Sequence, residues 1–170
     1  MSYIQSAYIN ALLADAAYID LPVGAISRDQ WEDPKKGALS KRMTPPLAKF
    51  IADNFEVISN EYNNDFPGLG SGFDAIVWKG RKGTPYEGKV FVSTRGTQPG
   101  EDMFGADLDL ALSSSARSQI IDMVNWWLRE TTPATETVRQ LVNIPTPTGV
   151  PIPSPLSLVV PGLPAQGTGR

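Results

Sequence analysis

The sequence contains no cysteine and no histidine. Without cysteine there is neither a disulfide framework nor a thiolate zinc site. Without histidine the commonest general base of neutral-pH catalysis is missing. An excess of basic charge is lacking too: 15 Lys and Arg stand against 18 Asp and Glu, a net charge of −3. No basic stripe appears, so nucleic acid is not an expected partner. No run of about 18 apolar residues exists to span a membrane. The first nineteen residues hold Asn10 and Asp15 and lack a basic leader, so a cleaved secretory signal is not expected. What is present is one domain's worth of chain, 170 residues, or a part of a larger domain. A hydrophobic fraction of 41% suffices for a core, and 15 Pro with 15 Gly imply much irregular chain.

Hydrophobic periodicity predicts a helix over residues 3–19, with Ile4, Tyr8, Ala11, Leu12 and Ile19 on its apolar face. Pro22 and Gly24 end it. Residues 25–43 are polar and irregular, with Trp31 as the one large apolar anchor. Thr44-Pro45-Pro46 reads as a helix start, with Thr44 as cap and Pro45 where a missing N–H costs nothing. Leu47, Phe50 and Ile51 then face a core. Strands are expected at 55–62, 73–79 and 89–94, the last being the best formed. A helix over about 115–129 carries Ile120, Ile121, Val124, Trp127 and Leu128 in one stripe, with Trp126 beside it and Ser114 or Ser115 as cap. The segment 143–170 holds seven prolines, which exclude a long helix. It also holds Ile152, Leu156, Leu158, Val159, Val160 and Leu163, apolar for a solvated linker. An extended flap or lid-like segment is expected there, beyond a first region over 1–142.

Three motifs invite a chemical reading. Gly68–Gly72 ("GLGSG") precedes a strand, whereas phosphate loops follow one and open a helix, so it reads as a plain loop. Asp102, Asp107 and Asp109 could offer oxygens to calcium, but their spacing does not match a calcium loop. They are weak metal candidates. The third is "FVSTRGT", a strand that ends in Arg95-Gly96-Thr97. Ligands of open α/β sheets bind beyond the carboxyl ends of strands. Gly96 would let the backbone approach a substrate closely, and the N–H and hydroxyl of Thr97 could meet one developing negative oxygen. The competing reading is a β-turn in which Thr97 bonds its own loop.

The stretch "KVFVSTRGT", then "EDMFGADLDLAL", then "ARSQIIDMVNWWLRE", resembles the N-terminal half of bacterial class 3 lipase-like α/β-hydrolases, mainly over residues 73–130. Arg95, Gly96 and Thr97 match the family's F-R-G-[ST]; Thr94 stands where the family often has Phe. The resemblance implies an α/β-hydrolase-like sheet with flanking helices, incomplete in this chain. It implies Thr97 as an oxyanion-hole residue, with Gly96 beside it and Arg95 bracing the loop, through Asp102 or Asp107. No serine here sits in the family's G-x-S-x-G elbow, and a triad needs the histidine this sequence lacks. The chain is therefore expected to be the front portion of a serine carboxylic ester hydrolase, inactive alone. Its expected partners are the remaining C-terminal part of that hydrolase, as a second chain or segment, and a lipid or ester substrate. No cofactor is called for in this chain. Members with glycine-rich calcium-binding repeats carry them toward the C-terminus, so any calcium would belong to that part. Secretion without a cleaved leader is expected, with the cytoplasm as the alternative. From a different class, a non-catalytic binding or interaction module would also suit a chain without His or Cys.

Overall fold

The computed structural model describes residues 2–33, 35, 38–62, 73–95, 108–144 and 152–161, those at 108–117, 143–144 and 152–161 by their backbone alone. The chain divides into two compact units. One comprises Met1–Tyr62 with Asp74–Gly96, the other Asn63–Phe73 with Thr97–Arg170. Helices and antiparallel strands mix, which places the fold in the α/β class.

The first unit opens with α1 (Tyr3–Ala16), started by a capping box in which Ser2 accepts from the Gln5 N–H and Gln5 accepts from the Ser2 N–H. The helix stops three residues before the expected end, and its inner face differs from the expected one. Ile9, Leu12, Leu13 and Ala16 are buried, at i, i+3, i+4 and i+7, while Ile4 is 82% exposed and Tyr8 also faces outward. The helix is apolar nearly all round, so periodicity alone left two stripes open and packing chose between them. A two-residue strand, β1 (Gly24–Ala25), and a short helix, α2 (Arg28–Glu32), follow. Next comes a single 3-10 turn at Leu39–Lys41. Helix α3 (Pro45–Asn54) begins as expected, with Pro45 in its first turn, but the Thr44 side chain makes no capping bond. Its inner residues are Ala48, Ile51 and Ala52; Leu47 and Phe50 pack at the margin.

Strands β2 (Phe55–Tyr62), β3 (Asp74–Gly80) and β4 (Val90–Arg95) lie within a residue of the expected positions. With β1 they form one antiparallel sheet in the order β1-β2-β3-β4, which makes β4 an edge among the described residues. Strand alternation puts Val57, Trp78 and Phe91 in one row on the inner face, and Asn60, Ile76 and Ser93 in the next. Val57, Ile76 and Trp78 are buried in the core with the inner residues of α1 and α3. The Trp78 indole N–H donates to the Ser93 hydroxyl at 3.2 Å, so burial leaves it no unpaired donor. The β3–β4 turn folds back closely. A side chain at Gly80 would meet the Tyr86 carbonyl oxygen at 1.8 Å, so no larger residue fits without backbone movement. That approach brings the Tyr86 ring to 4.9 Å from Phe55, which meets Phe91 edge-on at 5.6 Å.

The second unit contains α4 (Leu108–Thr131), β5 (Thr137–Ile144) and β6 (Ile152–Pro161). Helix α4 starts seven residues before the expected position, so Ser113-Ser114-Ser115 lies inside it and caps nothing. Serine's preference for caps is small beside the gain from continuing a helix. The stripe differs as well: Ile121 and Trp126 are buried, whereas Ile120 is 56% and Trp127 50% exposed. Trp126 lies 5.8 Å from Phe73. Strand β5 has no counterpart in the sequence reading.

Strands β5 and β6 pair antiparallel with an irregularity between Gln140 and Val142, opposite Leu158 and Ser154. Leu141 thus loses a regular ladder partner where Pro155, which has no N–H, falls in the other strand. Asn125 of α4 fills the gap. Its amide nitrogen donates to the Leu141 carbonyl at 2.9 Å, and its amide oxygen accepts from the Leu141 N–H at 2.7 Å. Gln140 returns a bond to the Asn125 carbonyl at 3.1 Å. Among the described residues no helix is long and apolar enough to cross a membrane.

Candidate functional site

The residue that closes β4 is Arg95, and its surroundings follow from strand register. Tyr62 of β2 lies opposite Asp74 of β3, and Asp74 lies opposite Arg95. The three form one polar row at the end of the sheet, next to the row of Asn60, Ile76 and Ser93. Asp74 is almost fully buried, and its carboxylate pairs with the Arg95 guanidinium, whose side chain is 16% exposed. A buried carboxylate survives only when paired in this way.

Both ends of the row grip the segment that leaves α1. The second amino group of Arg95 reaches the Tyr18 carbonyl and the Asp20 carboxylate, each at 3.4 Å, and the guanidinium lies 5.9 Å from the Tyr18 ring centre. At the other end the Tyr62 hydroxyl accepts from the Leu21 N–H at 2.8 Å and donates to the Leu21 carbonyl at 3.1 Å. Asn60 adds a bond to the same carbonyl at 2.6 Å. Burial pushes the Tyr62 phenol up to about 12, against the lowering effect of its bond to Leu21. Tyr62 therefore stays neutral and keeps its proton for that bond. The result is a fixed end to β4, from which the chain departs toward Gly96 and Thr97.

Of the residues singled out from sequence, Arg95 is described, and it is tied to Asp74 and Asp20. Gly96, Thr97, Asp102 and Asp107 lie outside the described residues, so the bracing of Arg95 by Asp102 or Asp107 does too. Asp109 falls in α4, and its side chain is likewise outside them. Among the described residues no group of three potential ligands is placed to hold a metal ion. Sequence reading missed Asp74 and Tyr62. The available signal was an acid opening an otherwise apolar strand, "FDAIVWK", with an arginine one strand away; only the register brings them together. No family model matches the chain, and neither a curated protein nor a solved structure matches it significantly.

Proposed function

We propose that this chain is the N-terminal portion of a serine carboxylic ester hydrolase of the α/β-hydrolase type, a lipase or esterase. In this reading Thr97 supplies part of the oxyanion hole, Gly96 lets the backbone approach the acyl group, and Arg95 holds the loop's origin. The serine and histidine of the triad come from a further segment, which is also where any calcium would bind. The observation that carries the reading is the anchored end of β4. Preorganised donors act only if they are already in place when charge develops on the substrate oxygen. An arginine held by a buried carboxylate directly before the Gly-Thr pair gives the loop such a fixed origin.

Two measurements test the reading. The reading frame beyond Arg170 should run into a G-x-S-x-G; a stop codon there would favour the non-catalytic interaction module instead. In the complete hydrolase Thr97→Ala should lower kcat by about 10- to 1,000-fold, with KM little changed and Thr97→Ser nearly silent. An unchanged kcat in Thr97→Ala would remove the hydroxyl from the mechanism. The 170-residue chain by itself should not turn over a p-nitrophenyl ester above buffer, because it holds no histidine for a triad.

A further inference from the structure

We infer that the outward face of α1 is the contact surface of a two-fold dimer, in which a second copy of this chain lays its own α1 antiparallel on the first. Helix α1 is apolar on two sides. Ile9, Leu12, Leu13 and Ala16 enter the core. On the opposite side Ile4, Ala7, Tyr8, Ala11 and Ala14 follow one another at helical spacing, and all five are exposed, as is Tyr3 beside them. Tyr3 is 96% exposed and Tyr8 54%. Single exposed hydrophobes are ordinary on a protein surface. Here three large ones fall within two turns, and no charged residue occurs from Ser2 to Ala14. A contiguous patch of this kind marks an interaction surface.

Shape and charge select the occupant. The large side chains lie at the N-terminal end of the stripe, and alanines lie at its C-terminal end. Turning a second copy about a two-fold axis at mid-helix sets Ile4 against Ala14 and Ala7 against Ala11, so each bulky end meets a small one. A parallel pair would stack bulk on bulk and hold the alanines apart. The antiparallel pair also brings Asp15, whose side chain is 39% exposed beside Arg42, to the N-terminal end of the other helix, the positive pole of its dipole. A lipid surface fits less well. Interfacial helices are rich in Lys and Arg, and α1 has neither. One 14-residue helix is about 21 Å long. That contact is smaller than stable dimers use, so association is weak, with a Kd of about 100 µM. The inference does not depend on the hydrolase reading.

Sedimentation velocity of the 170-residue chain should show a reversible dimer forming between about 10 µM and 1 mM. Ile4→Glu should stay monomeric over that range with its melting temperature unchanged, because Ile4 is 82% exposed. The absence of native cysteine makes disulfide trapping specific. Oxidised together, Ala7→Cys and Ala11→Cys should join to each other about tenfold faster than either joins to itself. This arm decides the matter should Ile4→Glu fail to fold. A wild type that stays monomeric, an Ile4→Glu variant that dimerises equally, or cysteine variants that join to themselves as fast as to each other would overturn the inference. So would binding of the chain to phosphatidylcholine vesicles without self-association.

Discussion

The two units of this chain meet the same difficulty in different ways. Each has backbone groups that no ladder or helix satisfies: Leu21 after α1, and Leu141 at the irregularity in β5. In the sheet unit Leu21 is satisfied by Asn60 and by Tyr62, the latter in the row that also contains the buried Asp74–Arg95 pair. In the helix–hairpin unit a single neutral amide, Asn125, takes both groups of Leu141. The sheet unit rests on a closed apolar core around Trp78, Ile76 and Phe55, and among the described residues it holds no buried side-chain donor without a partner. The other unit keeps two, Trp126 Nε1 and Gln119 Nε2, on a helix that also exposes Ile120, Met123 and Trp127. Unpaired buried donors cost free energy, whereas exposed apolar side chains occur in both units, Ile4, Tyr8, Val90 and Val92 among those of the sheet unit. Among the described residues, the difference teaches that the sheet unit combines a closed core with paired buried donors, whereas α4 holds β5 through Asn125 and keeps two donors unpaired.

The sharpest way to break this contrast is Trp78→Ala. Trp78 is fully buried, and its loss should cost about 4 kcal/mol through lost transfer energy and the cavity left behind. A urea midpoint close to wild type would show that the sheet unit is not where stability lies. Next in size is Asn125→Ala, which strands the N–H and carbonyl of Leu141 and should cost about 2 kcal/mol, read most directly as faster exchange of the Leu141 amide. Asn125→Asp keeps the acceptor but sets a buried carboxylate against the Leu141 carbonyl, and should cost at least as much. If both variants exchange like wild type, the hairpin is held by something else.

Smaller still is Tyr62→Phe, with about 1 kcal/mol expected for the lost bonds to Leu21. Its pH dependence is the better readout. The Tyr62 phenol is raised from 10.0 to about 12, so between those values the folded chain holds a proton that the unfolded chain has released. Stability from this group is full below pH 10 and falls as pH rises through 12. Tyr62→Phe should flatten that decline in alkaline urea titrations; an unchanged slope would assign the decline to other groups. The smallest effect belongs to Trp127→Ala, at or below about 0.5 kcal/mol for a half-exposed side chain. A loss as large as that of Trp78→Ala would mean that Trp127 is covered in solution.

Where the pattern was local, the sequence was readable. The strands at Phe55, Asp74 and Val90 and the helix start at Pro45 rest on alternation, β-branched runs and a proline preference, each decided within a few residues. Misreadings arose where two local answers were nearly equal. Helix α1 offered Ile4 and Tyr8 as readily as Ile9 and Leu13 for its inner face. The Trp126-Trp127 pair offered either indole, and packing chose the one that the stripe left aside. The three serines before Ala116 looked like a cap because serine caps often, yet the helix passes through them. Of the candidate site, Arg95 was legible as the end of a strand, but the acid that holds it was not.

The sequence by itself determined that this chain lacks a histidine base and a thiol, that Arg-Gly-Thr follows a β-prone run, and that 143–170 cannot hold a long helix. These follow from composition and from single-residue chemistry, and no folding could change them. Only tertiary structure decided that Asp74 lies opposite Arg95, that Tyr62 and Arg95 hold the same segment after α1, and that Asn125 completes β5 at Leu141. Each of these joins residues 16 to 77 positions apart. Contacts at such separations depend on strand register and helix packing, which the whole core sets at once and no short window of sequence contains.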